Sequence, residues 1–109
     1  MTRIARLVVP GVPHHITQRG NRRQRTFFTE SDCETYKALL ARACAASGVK
    51  ILAYCLMPNH VHLVAVPTTA ADLRRAIGEA HVRCTRRINF REGWRGHLWQ
   101  RRLGLSAWR

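Results

Sequence analysis

Tyr54-Cys55-Leu56-Met57-Pro58-Asn59-His60-Val61-His62-Leu63-Val64 decides the reading of this chain. His60 to Val66 is rich in valine and predicts a strand. Side chains on a strand alternate faces, so His60 and His62 point the same way, roughly 6–7 Å apart along the chain. Two neutral imidazoles so placed can bind one divalent metal ion. Val49 to Leu56 predicts the strand before the turn. If Pro58 and Asn59 form a two-residue turn, Met57 pairs with His60, Cys55 with His62 and Tyr54 with Leu63. Tyr54 then lies on the face opposite the histidines, and one extra turn residue would reverse that parity.

Working outward, Pro13 to Gly20 reads as a first strand, followed by the polar basic loop Asn21 to Arg25. Ser31 and Glu34 read as a capping box that opens a helix. Tyr36, Leu39, Leu40, Ala43 and Cys44 recur on one face of that helix, and Gly48 sits where a C-terminal cap belongs. Pro67 ends the histidine strand. Thr69 and Asp72 start a second helix, whose apolar stripe is Leu73, Ile77, Ala80, Cys84 and Ile88. Arg75 and Arg86 lie across from the stripe, and Arg83 and Arg87 flank it. His97 to Gln100 is the expected fourth strand. The order β-α-β-β-α-β predicts an α+β, ferredoxin-like sandwich, with two helices on one face of an antiparallel sheet.

The chain has 109 residues and a formal net charge of +13, from 19 basic and six acidic side chains. That length fits one domain. Arginine supplies 17 of the basic residues, and its planar fork grips phosphate oxygens in a way lysine cannot. The imbalance points to nucleic acid, and a metal in so basic a protein would act on a phosphate. Arg19, Asn21, Arg22, Arg23 and Arg25 form the densest cluster of phosphate donors and are the DNA-contact candidates. Trp94 could stack on a base, whereas Trp99 reads as core. His14, His15, His81 and His97 read as structural or surface groups. Cys33, Cys44, Cys55 and Cys84 lack a C-x-x-C pair and read as small buried hydrophobes. The N-terminal apolar run is too short for a signal peptide or a membrane span, so no membrane partner and a cytoplasmic location are expected.

The histidine string, with Pro10 to Arg23 before it and Gly96-His97-Leu98-Trp99-Gln100 after it, resembles the single-tyrosine HUH transposases. This is the insertion-sequence-200-like transposase family, and the resemblance is to its REP-associated branch. It covers roughly Ile4 to Gln100 and makes residues 1–109 a single transposase-type domain. It implies binding of single-stranded DNA hairpins and a divalent metal, Mg²⁺ or Mn²⁺, on His60 and His62. It also implies attack by a tyrosine on a C-terminal helix, forming a 5′-phosphotyrosine link. Some family members are dimers, which leaves a homodimer open.

The chain departs from the family pattern after Gln100. Residues 101–109 read as a divergent tail of the kind a frameshift or early stop produces, with the C-terminal catalytic helix missing. The two tyrosines, Tyr36 and Tyr54, do not match the nucleophile. The expectation is a DNA-binding, metal-site core of a transposase, impaired in catalysis. A non-catalytic module, for instance for structured RNA, and an inert remnant are the alternatives.

Overall fold

The computed structural model describes residues 8–100 and 103–107. Strand β1 spans His14–Arg19, β2 Lys50–Met57, β3 His60–Val66 and β4 Gly104–Ala107; helix α1 spans Glu30–Ser47 and α2 Ala70–Glu92. The four strands form one antiparallel sheet in the order β2-β3-β1-β4. The predicted α+β, β-α-β-β-α-β architecture is the one observed.

Both helices bury their apolar stripes on the same sheet face. Tyr36, Leu40, Ala43 and Cys44 of α1 and Leu73, Ile77, Ala80, Cys84 and Ile88 of α2 join Ile16, Val61, Leu63 and Ala65 in the core. Each large apolar side chain buried there contributes about 1.5–3 kcal/mol relative to exposure. Trp99 closes the core, stacked on His81 with ring centroids 4.6 Å apart. His81 is buried and accepts a 2.7 Å hydrogen bond from the Tyr36 hydroxyl at Nε2.

Helix α2 starts as expected: Thr69 Oγ1 accepts from the Asp72 amide at 3.0 Å. Helix α1 starts two residues before the expected point. Its cap is Thr29, whose Oγ1 accepts from the Asp32 amide at 3.1 Å, while Asp32 Oδ2 accepts from the Thr29 amide at 3.3 Å. Ser31, one residue inside the helix, is exposed. A long-range contact favours the Thr29 cap: the buried Asp32 carboxylate accepts from both terminal nitrogens of Arg91, Nη1 and Nη2, at 2.5 and 3.0 Å. That pair ties the start of α1 to the end of α2. Gly48 caps α1 in the left-handed region, φ 70°, as the sequence predicted.

The fourth strand also differs from expectation. His97 to Gln100 makes only a bridge, Gly20 to Trp99, together with a 2.8 Å bond from the Gln100 amide to the Arg19 carbonyl. The ladder is Gly104–Ala107, which pairs with β1 in the register Thr17 to Gly104 and His14 to Ala107. Gly104 allows the close approach, since a Cβ there would lie 2.1 Å from Thr17 Oγ1. Within the tail, Gly104–Ala107 thus supplies an edge strand of the sheet. Arg101, Arg102, Trp108 and Arg109 lie outside the described residues.

A histidine-bearing sheet face as candidate functional site

The turn between β2 and β3 has two residues, and the register is Met57 to His60, Cys55 to His62 and Tyr54 to Leu63. A bulge at Leu52 shifts the pairing further along, between Ile51 and Ala53. Leu63 is buried under the helices, so His60 and His62 project from the other, helix-free face. Strand β1 pairs with β3 in the register His15 to Val64, Thr17 to His62 and Arg19 to His60. That face therefore also carries His15, Thr17 and Arg19, with Cys55 and Met57 on one side and Ser106 on the other.

The imidazoles are held by neighbours. His60 Nδ1 donates to Asn59 Oδ1 at 2.9 Å, which leaves its Nε2 as the lone-pair nitrogen. His62 Nδ1 bonds His15 Nε2 at 3.2 Å, with the two rings within 7° of parallel. The rings of His60 and His62 stand 5.0 Å apart, centroid to centroid. Partial burial pushes the proton affinity of His62 down, and the nearby His60, His15 and Arg19 add to the effect. A neutral His62 is the form that binds a metal. Among the described residues no group of three or more His, Cys, Asp or Glu side chains is arranged to hold a metal ion. What the face offers is a pair of adjacent imidazoles, His60 and His62, with His15 stacked on the second.

His15 was read from the sequence as a structural or surface group. The signal that could have found it is the alternation along β1: counting back from Arg19 puts Thr17 and His15 on the same face. His14, on the other face, is buried, its Nε2 accepting from the Val9 amide at 3.0 Å and its Nδ1 donating to the Val12 carbonyl.

Of the arginine cluster, Arg19 is exposed and lies across from His60. Asn21 opens a short 3-10 turn, and Arg22 is exposed with φ 57°. Arg25 is engaged by the fold: its Nε donates to the Phe27 carbonyl at 2.8 Å, and its guanidinium lies 5.7 Å from the Phe28 ring centroid. The side chain of Arg23 lies outside the described residues.

Neither tyrosine reaches this face. Tyr36 is fully buried, its hydroxyl is spent on His81, and burial drives its proton affinity far up. Tyr54 is 53% exposed but sits on the helix side, 5.5 Å from the ammonium of Lys37 on α1.

The sequence model of the family described as "Transposase IS200 like" matches residues 9–108. The chain belongs to the IS200-like transposase family. The match runs through β4, beyond the Gln100 at which the resemblance had been expected to end. A solved structure described as a REP-associated tyrosine transposase bound to a REP hairpin aligns with TM-score 0.77 and 20% identity, covering all of this chain and 63% of that one. This transposase-family chain thus spans less than two thirds of that protein's length. A putative transposase from Deinococcus radiodurans R1 aligns with TM-score 0.72 and 18% identity, covering all of this chain and 87% of that one. At these identities the two structures attest the fold. Comparison with curated proteins gave no match. Among the described residues no helix is long and apolar enough to cross a membrane.

Proposed function

We propose that the helix-free face is a single-strand DNA site of the HUH transposase type, with His60 and His62 as metal ligands and Arg19, Asn21 and Arg22 as backbone contacts. The single observation that carries this reading is the common projection of His60, His62, Arg19 and His15 from adjacent strands of a family member. A Mg²⁺ or Mn²⁺ ion on the two histidines would polarise a scissile phosphate. The Asn59 bond directs His60 to present Nε2, and His15 does the same for His62 when it accepts the Nδ1 proton. Arg19, beside His60, would meet the phosphate backbone. A hairpin ligand is supported by the structural neighbour with a REP hairpin bound.

On this reading the 109 residues bind and hold DNA without supplying the attacking phenol, because neither tyrosine lies on the histidine face. The RNA-module alternative is less well supported. Its sheet would carry exposed phenyl or phenol rings for base stacking, whereas the described residues of this face include no Phe, Tyr or Trp.

The test is to incubate the chain with a labelled single-stranded hairpin and Mn²⁺ while following binding, cleavage and covalent transfer together. Binding without a covalent adduct is expected. An adduct mapped to Tyr54 or Tyr36 would overturn the account of catalysis, and no binding at low salt would overturn the DNA site itself.

A further inference from the structure

A cleft of about 410 Å³ lies between the loop after β1 and the turn after α2. Asn21, Arg22, Gln24, Asn89, Trp94 and Arg95 line it. Backbone bonds fix its walls: the Asn21 amide donates to the Leu98 carbonyl at 2.8 Å and the Trp94 amide to the Asn89 carbonyl at 2.9 Å. Its two best-fixed amide side chains have set orientations. Gln24 Nε2 donates to the carbonyls of His97 and Leu98, at 3.3 and 3.2 Å, and Asn89 Nδ2 donates to the Gly96 carbonyl at 2.9 Å. Each bond engages the amide nitrogen and leaves the side-chain oxygen as an acceptor. Trp94 remains 37% exposed and is braced by Phe28, centroids 5.7 Å apart at 61°. Neither Arg22 nor Arg95 has an acidic partner among the described residues.

The cleft is also placed to continue a strand of DNA. Arg19 lies across from His60, the Gly20 amide bonds the Asn59 carbonyl at 2.7 Å, and Asn21 already lines the cleft. A backbone that passes His60 therefore meets the cleft within two residues of protein chain. An aromatic wall, free amide acceptors and unpaired guanidinium groups are what an unstacked base and its phosphates require.

We infer that this cleft receives one unpaired base of the single strand next to the phosphate at the histidine face, and that it favours a base with an exocyclic amine. Trp94 stacks on the base. The oxygens of Gln24 and Asn89 accept from the amine of adenine, cytosine or guanine, a donor that thymine lacks. Arg22 and Arg95 contact the flanking phosphates. This inference rests on the single-strand DNA reading above.

The test compares hairpins by fluorescence anisotropy at one low salt concentration. The probes are a blunt hairpin, the same hairpin with a four-nucleotide single-stranded flank, and flanks carrying one abasic site at each position in turn. With the wild-type chain the flank strengthens binding, and one abasic position removes about tenfold of affinity. Trp94→Ala removes about the same, the two losses do not add, and the blunt hairpin is unaffected. Thymine at the sensitive position keeps the stacking on Trp94 but loses the amine contacts, so it binds more weakly than adenine, cytosine or guanine and more tightly than the abasic site. Trp94→Leu, which keeps apolar packing against Phe28 without an aromatic face, should repeat the result if Trp94→Ala melts early. The inference fails if the flank adds nothing, if no abasic position matters, or if both variants weaken blunt and flanked hairpins equally. Failure of the wild-type chain to bind any hairpin would instead sink the DNA reading on which it rests.

Discussion

His15 and His62, on neighbouring strands, share a 3.2 Å bond between Nε2 and Nδ1. A metal-binding imidazole normally has such a partner on its other nitrogen, and losing that partner costs 10- to 100-fold in metal affinity. His15→Ala should therefore weaken Mn²⁺ binding by about 10- to 100-fold while leaving the fold intact. Calorimetric titration of Mn²⁺ into the two proteins checks this. Equal affinities would mean that His62 needs no help from His15.

His81 gives stability a pH dependence. Burial pushes its pKa down to about 3 in the folded chain, whereas in the unfolded chain it takes a proton near 6.5. The folded state holds fewer protons between these values, so stability is complete above about pH 6.5 and falls as pH drops toward 3. The loss is up to about 1.4 kcal/mol per pH unit. His81→Gln can still accept from Tyr36 but cannot protonate. Urea melts at pH 7, 6 and 5 should show a flatter profile for the variant. Parallel profiles would rule out His81 as the source.

Gly104→Ala should destabilise the chain by about 1–3 kcal/mol, the usual cost of overpacking, because the new methyl would lie 2.1 Å from Thr17 Oγ1. Thr17→Ala removes that oxygen, so the double variant should recover most of the loss. Thermal melts of the two single variants and the pair decide it. Additive losses would show that the contact is not the cause.

The Asp32–Arg91 pair predicts an asymmetry between its two halves. The Arg91 guanidinium, ahead of the amides of Phe28 and Thr29, holds the Asp32 carboxyl below its ordinary value. Its stabilising effect is present above about pH 4 and fades as pH falls through the lowered value. Arg91→Ala leaves a buried carboxylate short of its main partner and should cost about 1–3 kcal/mol at pH 7. Adding Asp32→Asn to Arg91→Ala removes that charge and should recover part of the loss. Denaturant midpoints of the three variants at pH 7 measure this; a double variant no better than Arg91→Ala would refute it.

The fold was legible wherever a local rule and the tertiary packing agreed. The turn at Pro58-Asn59, the register Cys55 to His62, both apolar helix stripes and the caps at Gly48 and Thr69 all follow from residue spacing. The cap of α1 was misplaced because Ser31 and Glu34 satisfy the local pattern, while the Thr29 cap works through Asp32, whose partner Arg91 lies 59 residues further on. The last strand was misplaced for a related reason. Leu98 and Trp99 look like strand residues, but their side chains are used to close the core. The ladder falls instead to Gly104–Ala107, whose only sequence signal is a glycine small enough to pass Thr17. His15 was missed at the site because its role exists only once β1 lies beside β3.

The length of the Pro58-Asn59 turn carries a consequence of its own. Inserting one residue there would leave the composition, charge and nearly all of the sequence unchanged. It would nonetheless turn Val61 and Leu63 outward and drive His60 and His62 into the apolar layer beneath α1 and α2. In this chain the chemistry of a whole surface is stored as a count, and a single added codon at that point would erase it without altering any residue of the site.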